Sequence, residues 1–130
     1  MNTFLDASVI VCHLTGDPAE LRAAATDAFT GDHHHFVSDV AIADAINLLE
    51  TVYDVGRHMI ATAMRSVLVS ANISSVDTPV LLRALGIYEI DNVRFPTAHA
   101  VALAESTGVD GVSSLDSSID RIRTVTRVGP

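Results

Sequence analysis

The chain has 130 residues, 48% of them apolar, with 16 acids against 8 bases and a formal net charge of −8. Every base is an arginine, which excludes chemistry that needs a lysine: a phosphate-loop lysine, a Schiff base or the lysine of a phosphoaspartate switch. The length fits a single domain, residues 1–130, with a sizeable core. The net field repels nucleic acid, so any RNA contact falls to local arginines. Arg121, Arg123 and Arg127 form one such group, for which a solvated edge is an equal alternative. No uncharged apolar stretch is long enough to cross a bilayer, and Asp6 interrupts the place where a signal peptide would need apolar residues. Cys12 is the only cysteine. The chain therefore has no internal disulfide and reads as a cytoplasmic protein with Cys12 in its core.

In chain order, a strand is expected over about Thr3–Leu5, then a short helix to about Leu14. Asp17-Pro18-Ala19-Glu20 has the form of a helix start, with an Asp cap and Pro in the first turn, and predicts a helix to Phe29 stopped by Gly31. His33-His34-His35 reads as a loop, and three adjacent histidines cannot all face one ion from regular structure. His35-Phe36-Val37 can form a short strand. Helices follow over about Ser38–Tyr53 and Gly56–Ser70, then a strand over Asn72–Val76. Thr78-Pro79 opens a helix expected to end near Gly86 or Tyr88. Pro96 sets the first turn of the next helix, which Gly108 ends. Gly111–Leu115 is a strand, Ser117–Ile122 a short helix and Thr124–Val128 a last strand with alternating pattern. Strands separated by helices imply an α/β fold with a mostly parallel sheet sandwiched between helices.

One short phrase occurs twice. Leu5-Asp6-Ala7-Ser8-Val9-Ile10 follows the first strand, and Leu115-Asp116-Ser117-Ser118-Ile119-Asp120 follows the fourth. Each puts a carboxylate where a strand turns into a helix, the edge at which open α/β sheets place ligands. Asp is a preferred N-cap, and for either residue alone the cap suffices. The matched context of the two favours a cation site. A third acid, Asp44, falls on a stripe with Val37, Ala41, Leu48 and Val52, whereas Asp39 and Glu50 fall off it and read as solvated. A carboxylate on an apolar face costs several kcal/mol unless paired or bound to metal; the alternative is that the stripe ends at a wet cleft. Grouped acids repel unless a cation is present. An all-oxygen set suits Mg²⁺ or Mn²⁺ rather than Zn²⁺.

These residues resemble the PIN-domain nucleases, and within them the VapC-type toxins of toxin–antitoxin pairs. The likeness covers nearly the whole chain. It rests on Phe4-Leu5-Asp6-Ala7-Ser8-Val9-Ile10, on Val37-Ser38-Asp39-Val40-Ala41-Ile42-Ala43-Asp44 with Leu48-Leu49-Glu50, and on Gly108-Val109-Asp110-Gly111 with Ser114-Leu115-Asp116-Ser117-Ser118-Ile119-Asp120-Arg121. The resemblance implies a PIN-like three-layer α/β/α sandwich around a central sheet of four to five short strands. It implies a site built from Asp6, Asp44 (where the family usually has Glu) and Asp116, with Ser114 as a supporting hydroxyl. The family's remaining acid stands in a Phe-x-Asp-Ala pattern. Here that stretch reads Phe95-Pro96-Thr97-Ala98, so Thr97 replaces an acid. Thr97 shares a stripe with Ala100, Val101 and Ala104 and is expected to point inward. His99 lies roughly 200° around the helix from it and cannot substitute. Asp91 and Asp120 are further possible donors; for Asp120 a surface position is the alternative.

The expected function is a metal-dependent endoribonuclease of the VapC type. Asp6, Asp44 and Asp116 would hold one Mg²⁺ or Mn²⁺, with Ser8, Thr97 and Ser114 orienting waters or scissile oxygens. The resemblance implies RNA as substrate, a VapB-like antitoxin partner that blocks the site and a homodimer, with Met59, Met64, Val67 and Leu68 as candidate dimer surface. The rival expectation is a PIN-fold binding or regulatory module that has lost catalysis. A haloacid-dehalogenase-like phosphatase is excluded, because it needs a second Asp where this chain has Ser8, and a lysine.

Overall fold

The computed structural model describes all 130 residues, with six α-helices, five short strands and two 3₁₀ turns. The chain divides into two compact units, Met1–Thr78 and Pro79–Pro130. No helix is long and apolar enough to cross a membrane. The expected α/β character is observed: all five strands pair in parallel, three in the first unit and two in the second.

In the first unit, β1 (Asn2–Phe4) leads into α1 (Ala7–Thr15). A 3₁₀ turn (Ala19–Leu21) then precedes α2 (Arg22–Thr30). β2 (His34–Val37), α3 (Asp39–Thr51), α4 (Arg57–Leu68) and β3 (Ile73–Ser75) follow. The strand order is β1-β2-β3. Register pairs Thr3 with His35 and Val37 with Ser75. Ile10, Ile42, Ile46, Ile60 and Met64 are fully buried and, with Leu5, Val11 and Val37, make the apolar interior. Burial of this kind stabilises by about 1.5–3 kcal/mol per large side chain.

Three expectations change in this unit. The histidine run is only partly a loop: His33 lies outside the strand, while His34 joins the expected strand residue His35 in opening the central strand. Alternation sends them to opposite faces: His34 Nε2 meets the Ser74 hydroxyl at 2.8 Å, and His35 Nδ1 meets the Thr3 hydroxyl at 2.5 Å. Asp17 does not cap the second helix. Its carboxylate accepts the Tyr53 hydroxyl at 2.6 Å, and Pro18 is extended (φ −74°, ψ 143°) after a cis peptide bond. The regular helix therefore starts only at Arg22. Of the candidate dimer surface, Met64, Val67 and Leu68 are core, and only Met59 is exposed. α4 turns its apolar stripe inward, as an amphipathic helix on a small core does.

In the second unit, α5 (Thr78–Ile90) runs straight through Gly86. Of the two ends expected, the one near Tyr88 lies within two residues of the observed end, and the one at Gly86 fails because Leu85, Ile87 and Tyr88 are fully buried, and their packing outweighs the roughly 1 kcal/mol that glycine costs in a helix. α6 (Phe95–Thr107) has Pro96 in its first turn and ends at Gly108, whose φ of 72° suits glycine. β4 (Gly111–Ser113) pairs with β5 (Thr126–Val128), and a 3₁₀ turn (Ser117–Arg121) lies between them. Arg83 on α5 and Glu105 on α6 form a two-pronged ion pair at 2.8 and 3.0 Å.

Candidate metal centre

Asp6 follows the buried Leu5 at the end of β1 and caps α1. Its backbone is extended (φ −85°, ψ 152°), as an N-cap requires. Ser8 donates to Asp6 Oδ2 twice, from its hydroxyl at 2.5 Å and from its N–H at 3.1 Å. The side chains of Asp6 and Ser8 are open to solvent. The Ser8 hydroxyl, then its N–H, hold the Asp6 carboxyl below its ordinary value, with a smaller contribution from the Ala7 N–H.

Asp116 repeats this arrangement in the second unit. It caps the 3₁₀ turn after β4, and its Oδ1 accepts the Ser118 N–H at 3.0 Å. Its own N–H donates to the Ser114 hydroxyl at 3.0 Å, so Ser114 fixes the backbone that carries the acid. Asp116 is half-buried. Its carboxyl is lowered by Ser118, whose N–H it accepts, and next by the charges of Arg94 and Arg121. Both acids are thus N-caps, as the plainest reading of their sequence proposes. Capping uses the charge without removing it, and leaves two carboxylates ionised at neutral pH on matching Asp-x-Ser turns.

Asp44 does not face the apolar interior. The buried face of α3 is Ala41, Ile42, Ala45, Ile46 and Leu49, while Asp44 and Val52 are exposed and Leu48 is half-buried. Val37 and Ala41 at the start of the stripe are buried, so the stripe runs from the interior out to solvent and Asp44 is wet, as the alternative reading of the stripe has it. Asp44 therefore carries no burial cost. Asp39, expected in solvent, is instead half-buried with Oδ1 shielded from water. On α6, Thr97 is half-buried on the side of buried Val101 and Ala104, with Ala100 also half-buried. Asp91 is half-buried, and Asp120 is an exposed acid paired with Arg127 at 2.9 Å. Arg94 was not singled out in the sequence. The available signal was its place directly before Phe95-Pro96-Thr97.

Asp6, Ser8 and Asp44 belong to the first unit, and Thr97, Ser114 and Asp116 to the second. Within neither unit do three or more His, Cys, Asp or Glu side chains gather as a group that could hold a metal ion. The donors on both sides are carboxylate and hydroxyl oxygens, which in kind fit a hard divalent ion. In each cap turn the backbone bond occupies one carboxylate oxygen, Oδ2 of Asp6 and Oδ1 of Asp116.

The sequence matches the family model of the PIN domain over residues 3–125. The chain belongs to the PIN-domain family. PIN domains are generally nucleases that use divalent metal ions. No curated protein matches the sequence. Among solved structures, this PIN domain is similar to VapC20 of Mycobacterium tuberculosis, a sarcin–ricin loop cleaving toxin. The identity is 14%, with a TM-score of 0.43, over 95% of this chain and 96% of that one. The family assignment rests on the match over residues 3–125.

Proposed function

We propose that this PIN domain is a metal-dependent endoribonuclease of the VapC toxin type, with Asp6, Asp44 and Asp116 as ligands of Mg²⁺ or Mn²⁺. The PIN match over residues 3–125 carries the reading, and the two ionised Asp-x-Ser turns support it. When bound, such an ion supplies a water of lowered pKa and neutralises charge on a phosphodiester. The chain's own residues prepare for it. Ser8 lowers the Asp6 carboxyl further below its ordinary value, Ser114 anchors the backbone of Asp116, and Thr97 offers a hydroxyl in place of the family's acid. Arg94 and Arg121 beside Asp116 supply the local positive charge that an RNA backbone requires of an otherwise acidic protein.

The same reading includes an RNA substrate, a VapB-like antitoxin, a homodimer and a cytoplasmic setting. A net charge of −8 favours a basic partner. Exposed Met59 is what remains of the expected dimer surface on α4.

The test compares Mg²⁺- and Mn²⁺-dependent RNA cleavage by the native chain, by Asp6→Ala and by Thr97→Asp. Cleavage by the native chain, with a loss on the order of a hundredfold or more in Asp6→Ala, upholds the enzyme. Cleavage by Thr97→Asp alone upholds the second reading, a binding module that has lost catalysis. Thr97 at the position of a family acid favours that second reading.

A further inference from the structure

We propose that Arg127 is a positioning residue for Asp116, a single guanidinium that ties together both ends of the turn carrying that acid. Arg127 Nη1 donates to the Ser114 carbonyl at 3.0 Å. Its Nε and Nη2 donate to the two oxygens of Asp120 at 2.9 and 3.3 Å. Ser114 lies two residues before Asp116 and Asp120 four after it. The segment between them is therefore closed by one rigid fork from β5.

Three observations separate this clamp from an ordinary surface ion pair. The Arg127 side chain is only 11% exposed while Asp120 is 56% exposed. The guanidinium is thus held mostly against the protein, its Nη1 also donating to the Pro130 carbonyl at 2.7 Å, whereas in most surface pairs both partners stand in water and contribute little. The planar guanidinium presents its donors in a fixed fork, so it holds a carbonyl and both oxygens of a carboxylate in one geometry, where an ammonium is a point charge on a flexible stem. The backbone also makes room for the contact. A Cβ at Gly129 (φ 153°) would fall 2.5 Å from the Ser114 oxygen and 3.4 Å from Arg127 Nη1. Glycine there lets the end of β5 close on the carbonyl that Arg127 binds.

Inside the closed segment, the Asp116 N–H is fixed by the Ser114 hydroxyl and its carboxylate by the Ser118 N–H. Arg127 makes no hydrogen bond to Asp116; its charge reaches that carboxylate, and its grip on Ser114 and Asp120 holds the turn that carries it. Asp120 therefore serves as the clamp's second anchor and not as a metal donor. This role for Arg127 rests on the nuclease reading, in which Asp116 must be held in one geometry to bind a cation.

The experiment uses the full chain, labelled with ¹⁵N, as native protein, Arg127→Met, Arg127→Lys and Asp120→Ala. Backbone order parameters of residues 115–118 and Mn²⁺ affinity by electron paramagnetic resonance are measured beside RNA cleavage. In Arg127→Met the order parameters of 115–118 fall from about 0.85 toward about 0.6, while those of Ser8–Ile10 stay unchanged. Mn²⁺ affinity drops about tenfold, as when the support of a metal ligand is removed. Lysine, which keeps the charge without the rigid fork, restores neither fully, and Asp120→Ala gives an intermediate loss. Native order at 115–118 in a folded Arg127→Met overturns the clamp. So does native Mn²⁺ affinity in a chain that binds Mn²⁺. If Arg127→Met does not fold, Arg127→Lys and Asp120→Ala decide by the same readings. If the native chain binds no Mn²⁺ and cleaves nothing, the nuclease reading fails, and the order parameters still judge the clamp.

Discussion

Ser8 closes on Asp6 through two donors at one oxygen, its hydroxyl at 2.5 Å and its N–H at 3.1 Å from Oδ2. Donors to a carboxylate favour its charged form, and here they come from the residue two positions along the first turn of α1. The sequence phrase that marks a candidate ligand thus also supplies the group that orients that ligand and lowers its carboxyl.

Replacing Ser8 by Ala leaves the N–H bond and removes the larger of the two effects, so the Asp6 carboxyl rises toward its ordinary value of 3.8. The sign follows from linkage. A carboxyl depressed in the folded state adds stability that is present above pH 3.8 and is lost as pH falls through the lower folded value. Carboxyl-detected NMR titration of native protein and Ser8→Ala measures the rise, and an unmoved Asp6 refutes it.

Glu105 is lowered chiefly by its bonds to Arg83, with help from the Thr124 hydroxyl. The stability it adds is complete above its ordinary value of 4.5 and disappears as pH drops through the depressed one. Glu105→Gln destabilises at pH 7 by less than about 1 kcal/mol, because Arg83 is 45% exposed and solvent screens the pair. Urea denaturation at pH 7 and pH 3 shows a smaller gap between native and variant at the lower pH.

Ser38 caps α3 by accepting the Ala41 N–H at 3.1 Å. Ser38→Ala lowers stability by about 1 kcal/mol and Ser38→Gly by a few tenths. Chemical denaturation midpoints read both. Equal losses would show that the hydroxyl is not the stabilising group.

Met64 is fully buried and Met59 is 68% exposed on the same helix. Met64→Ala costs about 2–5 kcal/mol through the cavity it leaves. Met59→Ala stays within about 0.5 kcal/mol in the isolated chain. If α4 is a dimer face, Met59→Asp shifts the sedimentation of the native protein to a smaller species without lowering the stability of the fold.

Local chemistry was legible in the chain itself. Asp6 and Asp116 are caps because a short polar side chain ahead of a helical turn bonds the nearest free N–H, whatever surrounds it. Gly108 ends α6 because a left-handed residue there suits glycine. The parallel strands follow from strand and helix alternation, and the PIN resemblance drawn from the motifs agrees with the match over residues 3–125. What depended on distant partners was not legible. Asp17 prefers the Tyr53 hydroxyl to a helix end, a choice made by a residue 36 positions away. α5 passes Gly86 because the core holds its neighbours. His34 joins the strand expected from His35 onward, where the Ser74 hydroxyl of β3 meets its ring. The face of α3 that is buried, and with it the exposure of Asp44, was decided by which neighbours the helix meets, since its apolar residues lie on more than one side. Spacing along a chain fixes angles around a helix axis, but only tertiary packing decides which of those angles faces the interior.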